Sequence, residues 1–297
     1  MTSWLWVVFT LAAAGGQTLR NAMQKELTAT LGTVGATHVR FMYGLPFGLL
    51  FFLLALLATR QIPPPLNATM LAWTVTGALT QIAGTALMLA AMQQRSFVVT
   101  TALVKTEPVQ VAIFGLAFLG DHLTPSLAAA IVIATAGVLI MSWPKRATGE
   151  TLSWEGAALG LGSGALFGMS AIGYRGGVRA LDASSLAIGA STTLVVGLLF
   201  QVVLLTSYLL WRERDTLMAL FRAWRPSIRA GFMGAFASQM WFLALAVETA
   251  AKVRTLALVE ILFAQALSRT VFKQGLASRE AVGIVLVIAG VIVLLNS

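Results

Sequence analysis

Two glutamates, Glu107 and Glu260, stand inside long apolar stretches of this chain. A carboxylate in hydrocarbon costs roughly 2.5–3.5 kcal/mol on insertion scales, so each is expected to face a cavity or a partner. The two are also related to each other. Sliding residues 100–140 onto 253–293 lays IVIATAGVLI (131–140) on IVLVIAGVIV (284–293), and the same shift of 153 residues places Glu107 on Glu260. One carboxylate at the same place in both halves of an internal repeat suits binding of a solute or proton where the halves meet.

The residues around Glu107 add to that reading. Lys105 and Glu107 are two apart and point to opposite sides of a regular helix, so each should find its partner on another helix. Pro108 removes a backbone donor and clashes one turn back, which predicts a kink or hinge here. Carbonyls freed in this way are tolerated in a membrane only where they line a cavity or meet protein. The alternative is that Lys105 and Glu107 form cross-helix ion pairs that only fix packing. Glu260 has Gln265 on a nearby face and Arg254 toward the start of its helix. A carboxyl in such surroundings can take up and release a proton, which makes proton coupling an expectation to test.

Further polar candidates lie in other segments. Gln17, Arg20 and Asn21 fall on or near one face after the small pair Gly15-Gly16. Arg20 suits a substrate carboxylate through its guanidinium fork, and equally suits snorkelling to lipid headgroups. Snorkelling is the stronger expectation for His38 and Arg40. Gln81, Gln239 and Trp241 could line a pocket with Phe242, or simply pack. Lys105 maps onto Leu258 and Pro108 onto Ile261, so the first half is expected to supply the polar and flexible wall.

The elements that must position these residues are membrane helices. The 297 residues are 58% hydrophobic and only 10% charged, with a mean hydropathy of +0.85. A soluble domain carries about 25% charged residues, so most of this surface meets lipid. The absence of cysteine excludes disulfides and thiolate chemistry, and two histidines leave no multi-histidine metal site. The net charge of +9 is explained by basic loops at anionic headgroups, not by nucleic acid.

Ten segments of spanning length can be drawn, at approximately 3–23, 33–58, 68–92, 96–119, 124–143, 153–175, 185–210, 229–249, 252–272 and 279–296. The first is read as a membrane helix, not a cleavable leader. Pro63-Pro64-Pro65, Pro144 and Pro226 punctuate the breaks. The longest connection, about Trp211 to Arg229, repeats Leu217, Leu220, Phe221 and Trp224 at helical spacing opposite arginines. That pattern suits either a short helix on the membrane surface or an ordinary solvated loop. Gly156, Gly160, Gly162, Gly164 and Gly168 in the sixth segment suit close helix packing and are no phosphate loop. Trp4, Trp6, Trp143, Trp154, Trp211 and Trp224 read as an interfacial belt.

The repeat extends to Ser3-Trp4 with Ser153-Trp154, and to Arg20-Asn21-Ala22 with Arg175-Gly176-Gly177. An all-α membrane domain follows, built as five-helix halves over residues 1–148 and 149–297. Five is odd, so the second half inserts inverted relative to the first.

Two such halves, each closing on a hairpin of the form VQVAIFGLAFLGDHLTPSLAAAIVIATAGVLIM, resemble EamA-type members of the drug/metabolite transporter superfamily. The segment FAQALSRTVFKQGLASREAVGIVLVIAGVIVLL carries the same pattern, and the resemblance covers nearly the whole chain. In that family an acidic residue commonly sits at the hairpin tip before Leu-Thr. Asp121 holds the place in the first half and Gln274 replaces it in the second, so the tips are not a symmetric functional pair. The resemblance implies a ten-helix carrier of small metabolites, often an exporter of amino acids or related solutes, in the inner or plasma membrane.

The resemblance also implies termini inside the cell, whereas the loop charges point the other way. Loops on the side of the termini hold Arg60, Arg175, Arg179, Lys252 and Arg254. Those opposite hold Lys25, Arg95, Lys145, Arg146, Arg212, Arg214, Arg222, Arg225, Arg229, Lys273 and Arg279, and positive loops face the cytoplasm.

Neither a His-Glu-x-x-His nor a Gly-x-Ser-x-Gly signature is present, and no cofactor is implied. The reading is a secondary or facilitative carrier of a small solute, with protons as a candidate coupling ion. A flippase for a lipid-linked substrate is the alternative within transport. A non-transporting receptor, favoured by closed ion pairs at both glutamates, or an intramembrane enzyme would be a different class. Monomer and homo-oligomer are both compatible with the sequence.

Overall fold

A computed structural model describes residues 4–94, 103–142, 154–183, 185–263 and 278–297. Every regular element among the described residues is helical. Five helices there have the length and apolar composition to cross a membrane: Glu26–Thr59, Glu155–Ala180, Leu186–Arg212, Trp224–Val247 and Ser278–Leu295. Glu107–Leu119 and Pro125–Met141 are shorter apolar helices. The protein is thus an all-α, multi-pass membrane protein.

The chain divides into two compact units. Unit 1 comprises residues 1–82 and 173–248, and unit 2 comprises residues 83–172 and 249–297. Each unit draws on both halves of the sequence.

Unit 1 opens with α1 (Leu5–Met42), which reverses at Gly32, where φ is +66° and ψ is −178°. A side chain is strained at such a φ, and glycine avoids that strain. The helix therefore runs to residue 31, well beyond the break expected near residue 23. Gln24 Nε2 donates to the Ala36 carbonyl at 2.8 Å, which ties the two arms together. α2 (Leu45–Thr59) follows after a short break at Tyr43–Gly44, so the expected second segment is two helices. Gly48 is its one buried residue, while Leu49, Leu50, Leu53, Leu54 and Leu57 stand exposed, a pattern suited to lipid.

α3 (Ala68–Gln94) and α6 (Trp154–Ala180) each run through both units. α7 (Leu186–Arg212), α8 (Arg214–Arg222) and α9 (Trp224–Val247) complete unit 1. The connection after Trp211 therefore contains a helix. Its Leu217 and Leu220 pack with Leu27, Leu31, Val39 and Leu209, while Met218, Phe221 and Trp224 remain exposed.

Unit 2 contains α4 (Glu107–Leu119), α5 (Pro125–Ser142), α10 (Ala250–Leu256) and α11 (Ser278–Leu295), with a single 3₁₀ turn over Ala257–Val259. α5 and α11 begin and end at positions 153 residues apart, the same offset as the repeat. They meet along small residues. A Cβ on Gly137 would lie 2.8 Å from the Gly283 carbonyl, and one on Gly290 would lie 2.7 Å from the Ala134 backbone. Ala134, Val138, Val287 and Leu258 close a core there, with Ile261 and Leu262 against it.

Candidate functional site

In unit 2 the predicted helix through Glu107 is interrupted just before it. Residues 105–106 form a turn, with the Thr106 N–H donating to the Leu103 carbonyl at 3.2 Å and its hydroxyl donating to the same oxygen at 2.7 Å. α4 then starts on Glu107 with Pro108 in its first turn, where a missing N–H has no helical acceptor to lose. A carboxylate at this end also meets the positive pole of the helix dipole. Pro108 thus starts a helix; it does not kink one.

The segment through Glu260 has an interruption at the matching place. α10 is capped by Thr249, whose hydroxyl accepts from the Lys252 N–H at 3.4 Å. It ends at Leu256, the 3₁₀ turn follows, and helix resumes at Glu260. Both glutamates therefore stand where a broken helix restarts. The backbone groups released at such breaks line a site or meet protein in membrane carriers.

The charged partners are exchanged between the two segments. Lys105 Nζ donates to Glu260 Oε2 at 2.8 Å. Arg254 Nε lies 3.2 Å from Glu107 Oε1. Both glutamates are 9% exposed. Lys105 and Glu107 take partners from the other segment, as their spacing requires. Arg254 is engaged with Glu107 and Arg175 is buried, so neither is a loop charge of the kind counted above. Gln265 lies outside the described residues.

The glycines of α6 press on this region within unit 2. A Cβ on Gly160 would come within 2.8 Å of Leu103, and one on Gly164 within 3.1 Å of the Val104 carbonyl. Gln110 Nε2 donates to the Leu161 carbonyl at 3.3 Å. The glycine run is thus the surface against which the break is held.

Unit 1 gathers the other candidates. Trp241 Nε1 donates to Gln17 Oε1 at 3.2 Å, joining α9 to α1. Gln239 Nε2 donates to Ser191 Oγ at 3.0 Å. Gln81 Oε1 accepts from Gln201 Nε2 at 2.8 Å and from the Tyr174 hydroxyl at 3.1 Å. Gln201, 1% exposed, also reaches the Tyr174 oxygen at 3.1 Å and the Ala78 carbonyl at 3.3 Å. The Tyr174 ring packs on Phe242 with centroids 4.5 Å apart.

Gln201 and Tyr174 were not among the residues singled out from sequence. A signal existed for Gln201, a lone amide within the apolar run LLFQVVLL. Tyr174 lies in a polar stretch, GYRGGVR, that reads as a helix end.

Arg20 is 5% exposed and donates through Nη2 to Asn21 Oδ1 at 2.7 Å. Arg40 is 8% exposed, with its guanidinium 5.1 Å from the Phe41 ring centroid. His38 is fully buried, its Nε2 2.9 Å from Thr206 Oγ1. Snorkelling therefore does not describe Arg20, Arg40 or His38, because all three side chains are enclosed by protein.

The model of the EamA-like transporter family matches residues 4–143. That region belongs to the EamA-like transporter family. The EamA match ends within the first half, a narrower extent than the resemblance read along the chain. Over those residues the sequence is similar to membrane transporters of the drug/metabolite superfamily. Among solved structures, 28 chains are similar. One crystal structure matches with a TM-score of 0.69 over 98% of this chain and 95% of its own, at 14% identity. At that identity the likeness is one of fold. No curated protein matches the sequence.

Proposed function

We propose that the protein is a secondary carrier that exports small polar metabolites, such as amino acids, across the cytoplasmic membrane by alternating access. Its ten spans form two inverted halves, residues 1–148 and 149–297. The observation that carries this reading is the exchange of charges at two interrupted helices: Lys105 on Glu260 and Arg254 on Glu107. A carboxylate held by a cation at a helix break can release that cation for a proton or for the ammonium group of a cargo. Matched breaks provide two such points, one from each half.

Reconstituted vesicles offered a panel of amino acids and amines, with and without a pH gradient, test the proposal. Counterflow of at least one solute in wild type, lost in Glu107→Gln and Glu260→Gln, is the expected result. A Glu260→Gln protein that transports as well as wild type and keeps its pH dependence removes that residue from the mechanism.

The closed pairs also suit a second reading, in which these four side chains only fix packing. Variants that lose stability while keeping the transport rate per folded molecule would establish it.

A further inference from the structure

The short helix α8 joins two long apolar helices of unit 1: α7 stops at Arg212 and α9 starts at Trp224. Both neighbours have the length and composition to cross a membrane, so the chain between them sits at the level of the headgroups. The inner side of α8 is fastened to protein. Leu217 and Leu220 pack with Leu27 and Leu31 before the turn of α1 and with Val39 after it. The Tyr43 hydroxyl donates to the Leu220 carbonyl at 3.0 Å, and a Cβ on Gly35 would lie 2.9 Å from Thr216 Cγ2. The helix therefore straps the two arms of α1 together, which fixes the face it turns outward.

That outward face is basic and apolar at once. Arg214, Met218, Phe221 and Arg222 follow on it at helical spacing, all exposed. Exposed Trp211 and Trp224 flank them, each with an arginine at its ring. The Arg212 guanidinium is 4.3 Å from the Trp211 centroid, and that of Arg225 is 5.5 Å from the Trp224 centroid. With Arg229, five arginines stand against Glu213 and Asp215 over residues 211–229. None of the five forms an ion pair among the described residues, and Glu213 accepts from the Thr216 hydroxyl at 3.2 Å. Exposed apolar side chains continue from both tryptophans into the spanning helices, Val203 and Leu210 on α7 and Ile228 and Phe232 on α9. The lipid-facing surface thus runs up to α8 from both ends.

We propose that α8, with Trp211–Arg212 and Trp224–Arg229, is a docking surface for anionic phospholipid headgroups. The unpaired guanidinium forks match phosphate oxygens. The tryptophans suit the boundary between headgroup and acyl chain, and Met218 and Phe221 enter that boundary as the apolar side of an interfacial helix does. An acidic protein segment would match the charge, but it would not explain apolar side chains continuous with the lipid-facing rows of α7 and α9. Because the inner side of α8 holds the turn of α1, bound lipid stabilises the fold of unit 1. The proposal is independent of the carrier reading.

The test is thermal unfolding of the purified full chain in neutral detergent, with phosphatidylglycerol or phosphatidylcholine added to the micelles. The expected result is a saturable rise in Tm of several degrees with phosphatidylglycerol over phosphatidylcholine. Combining Arg222→Gln, Arg225→Gln and Arg229→Gln, all exposed side chains, should reduce that rise at least threefold, and lysine at the same positions should largely restore it. The chain has no cysteine, so Met218→Cys carries a single environment-sensitive fluorophore in phosphatidylglycerol nanodiscs. Acrylamide should quench that label at least twofold more in the triple-variant background than in the wild-type one. Equal Tm rises in wild type and the triple variant, no rise with phosphatidylglycerol, or equal quenching in both backgrounds overturns the proposal. A rise with polyglutamate and none with phosphatidylglycerol assigns the surface to an acidic protein segment and overturns it too. Should the triple variant fail to fold, the wild-type rise must shrink severalfold between low and high salt, and a salt-insensitive rise overturns the proposal.

Discussion

Lys105 reaches Glu260, 155 residues away in sequence, with its Nζ 2.8 Å from Oε2. The acid that is its near neighbour in sequence, Glu107, is met by Arg254 at 3.2 Å. Each cation thus answers the glutamate of the other broken helix. Neither pair survives if the two segments separate.

Removing one partner of an enclosed pair leaves an uncompensated charge, which costs about 3–5 kcal/mol. Lys105→Met should therefore lower the unfolding midpoint sharply in detergent. Lys105→Met combined with Glu260→Met should be less damaging than the sum of the two single changes. A double-mutant cycle by thermal unfolding checks this, and strict additivity would show the pair to be inert.

Glu107 and Arg254 should separate folding from transport. Glu107→Gln keeps the shape of the side chain but leaves the Arg254 charge without its partner, so it should lower the unfolding midpoint, while transport per folded molecule falls at least tenfold. Arg254→Gln should lose transport similarly. Size-exclusion yield and vesicle uptake measured on the same preparations decide the outcome.

Gly173 and Gly164 test the close helix contacts. A Cβ on Gly173 would lie 2.6 Å from the Gly77 nitrogen, backbone against backbone. Gly173→Val should therefore cost at least the ~1–3 kcal/mol typical of overpacking. Gly164→Val would press on the Val104 carbonyl beside the helix break and should reduce transport more than stability. Unchanged transport in a folded Gly164→Val protein would show the break to be insensitive to α6.

Gln201 bridges α7 to Gln81, Tyr174 and the Ala78 carbonyl. Interhelical hydrogen bonds in membranes average ~0.6 kcal/mol each, so Gln201→Leu should cost about 1–2 kcal/mol. Tyr174→Phe removes one hydroxyl from the same group and should cost less. Unfolding curves for both variants, taken together with the double variant, test whether the three side chains act as one network.

Much of the scaffold was legible in the chain. Apolar runs of spanning length mark the helices, because nothing but a closed hydrogen-bonded backbone is tolerated in hydrocarbon. The offset of 153 residues relates α5 to α11 before any contact between them is known. The gap drawn over residues 24–32 contains the turn at Gly32 but opens too early, because 24–31 are helical and a single positive φ is invisible in a hydropathy pattern. His38 and Arg40 read as headgroup-seeking, and Arg20 as either that or a carboxylate ligand, because each lies near a segment end as drawn. Extending α1 to residue 31 and reversing it placed them inside the helix bundle of unit 1.

Composition and spacing alone determined that this is an all-α membrane protein with glutamates at matched positions, and that Lys105 and Glu107 need different partners. Both conclusions follow from local physics: the cost of charge in hydrocarbon and the angular spacing of a helix. Which cation meets which glutamate was decided by tertiary structure. Those pairings depend on how segments more than a hundred residues apart are brought together, and no periodicity within one segment encodes that distance.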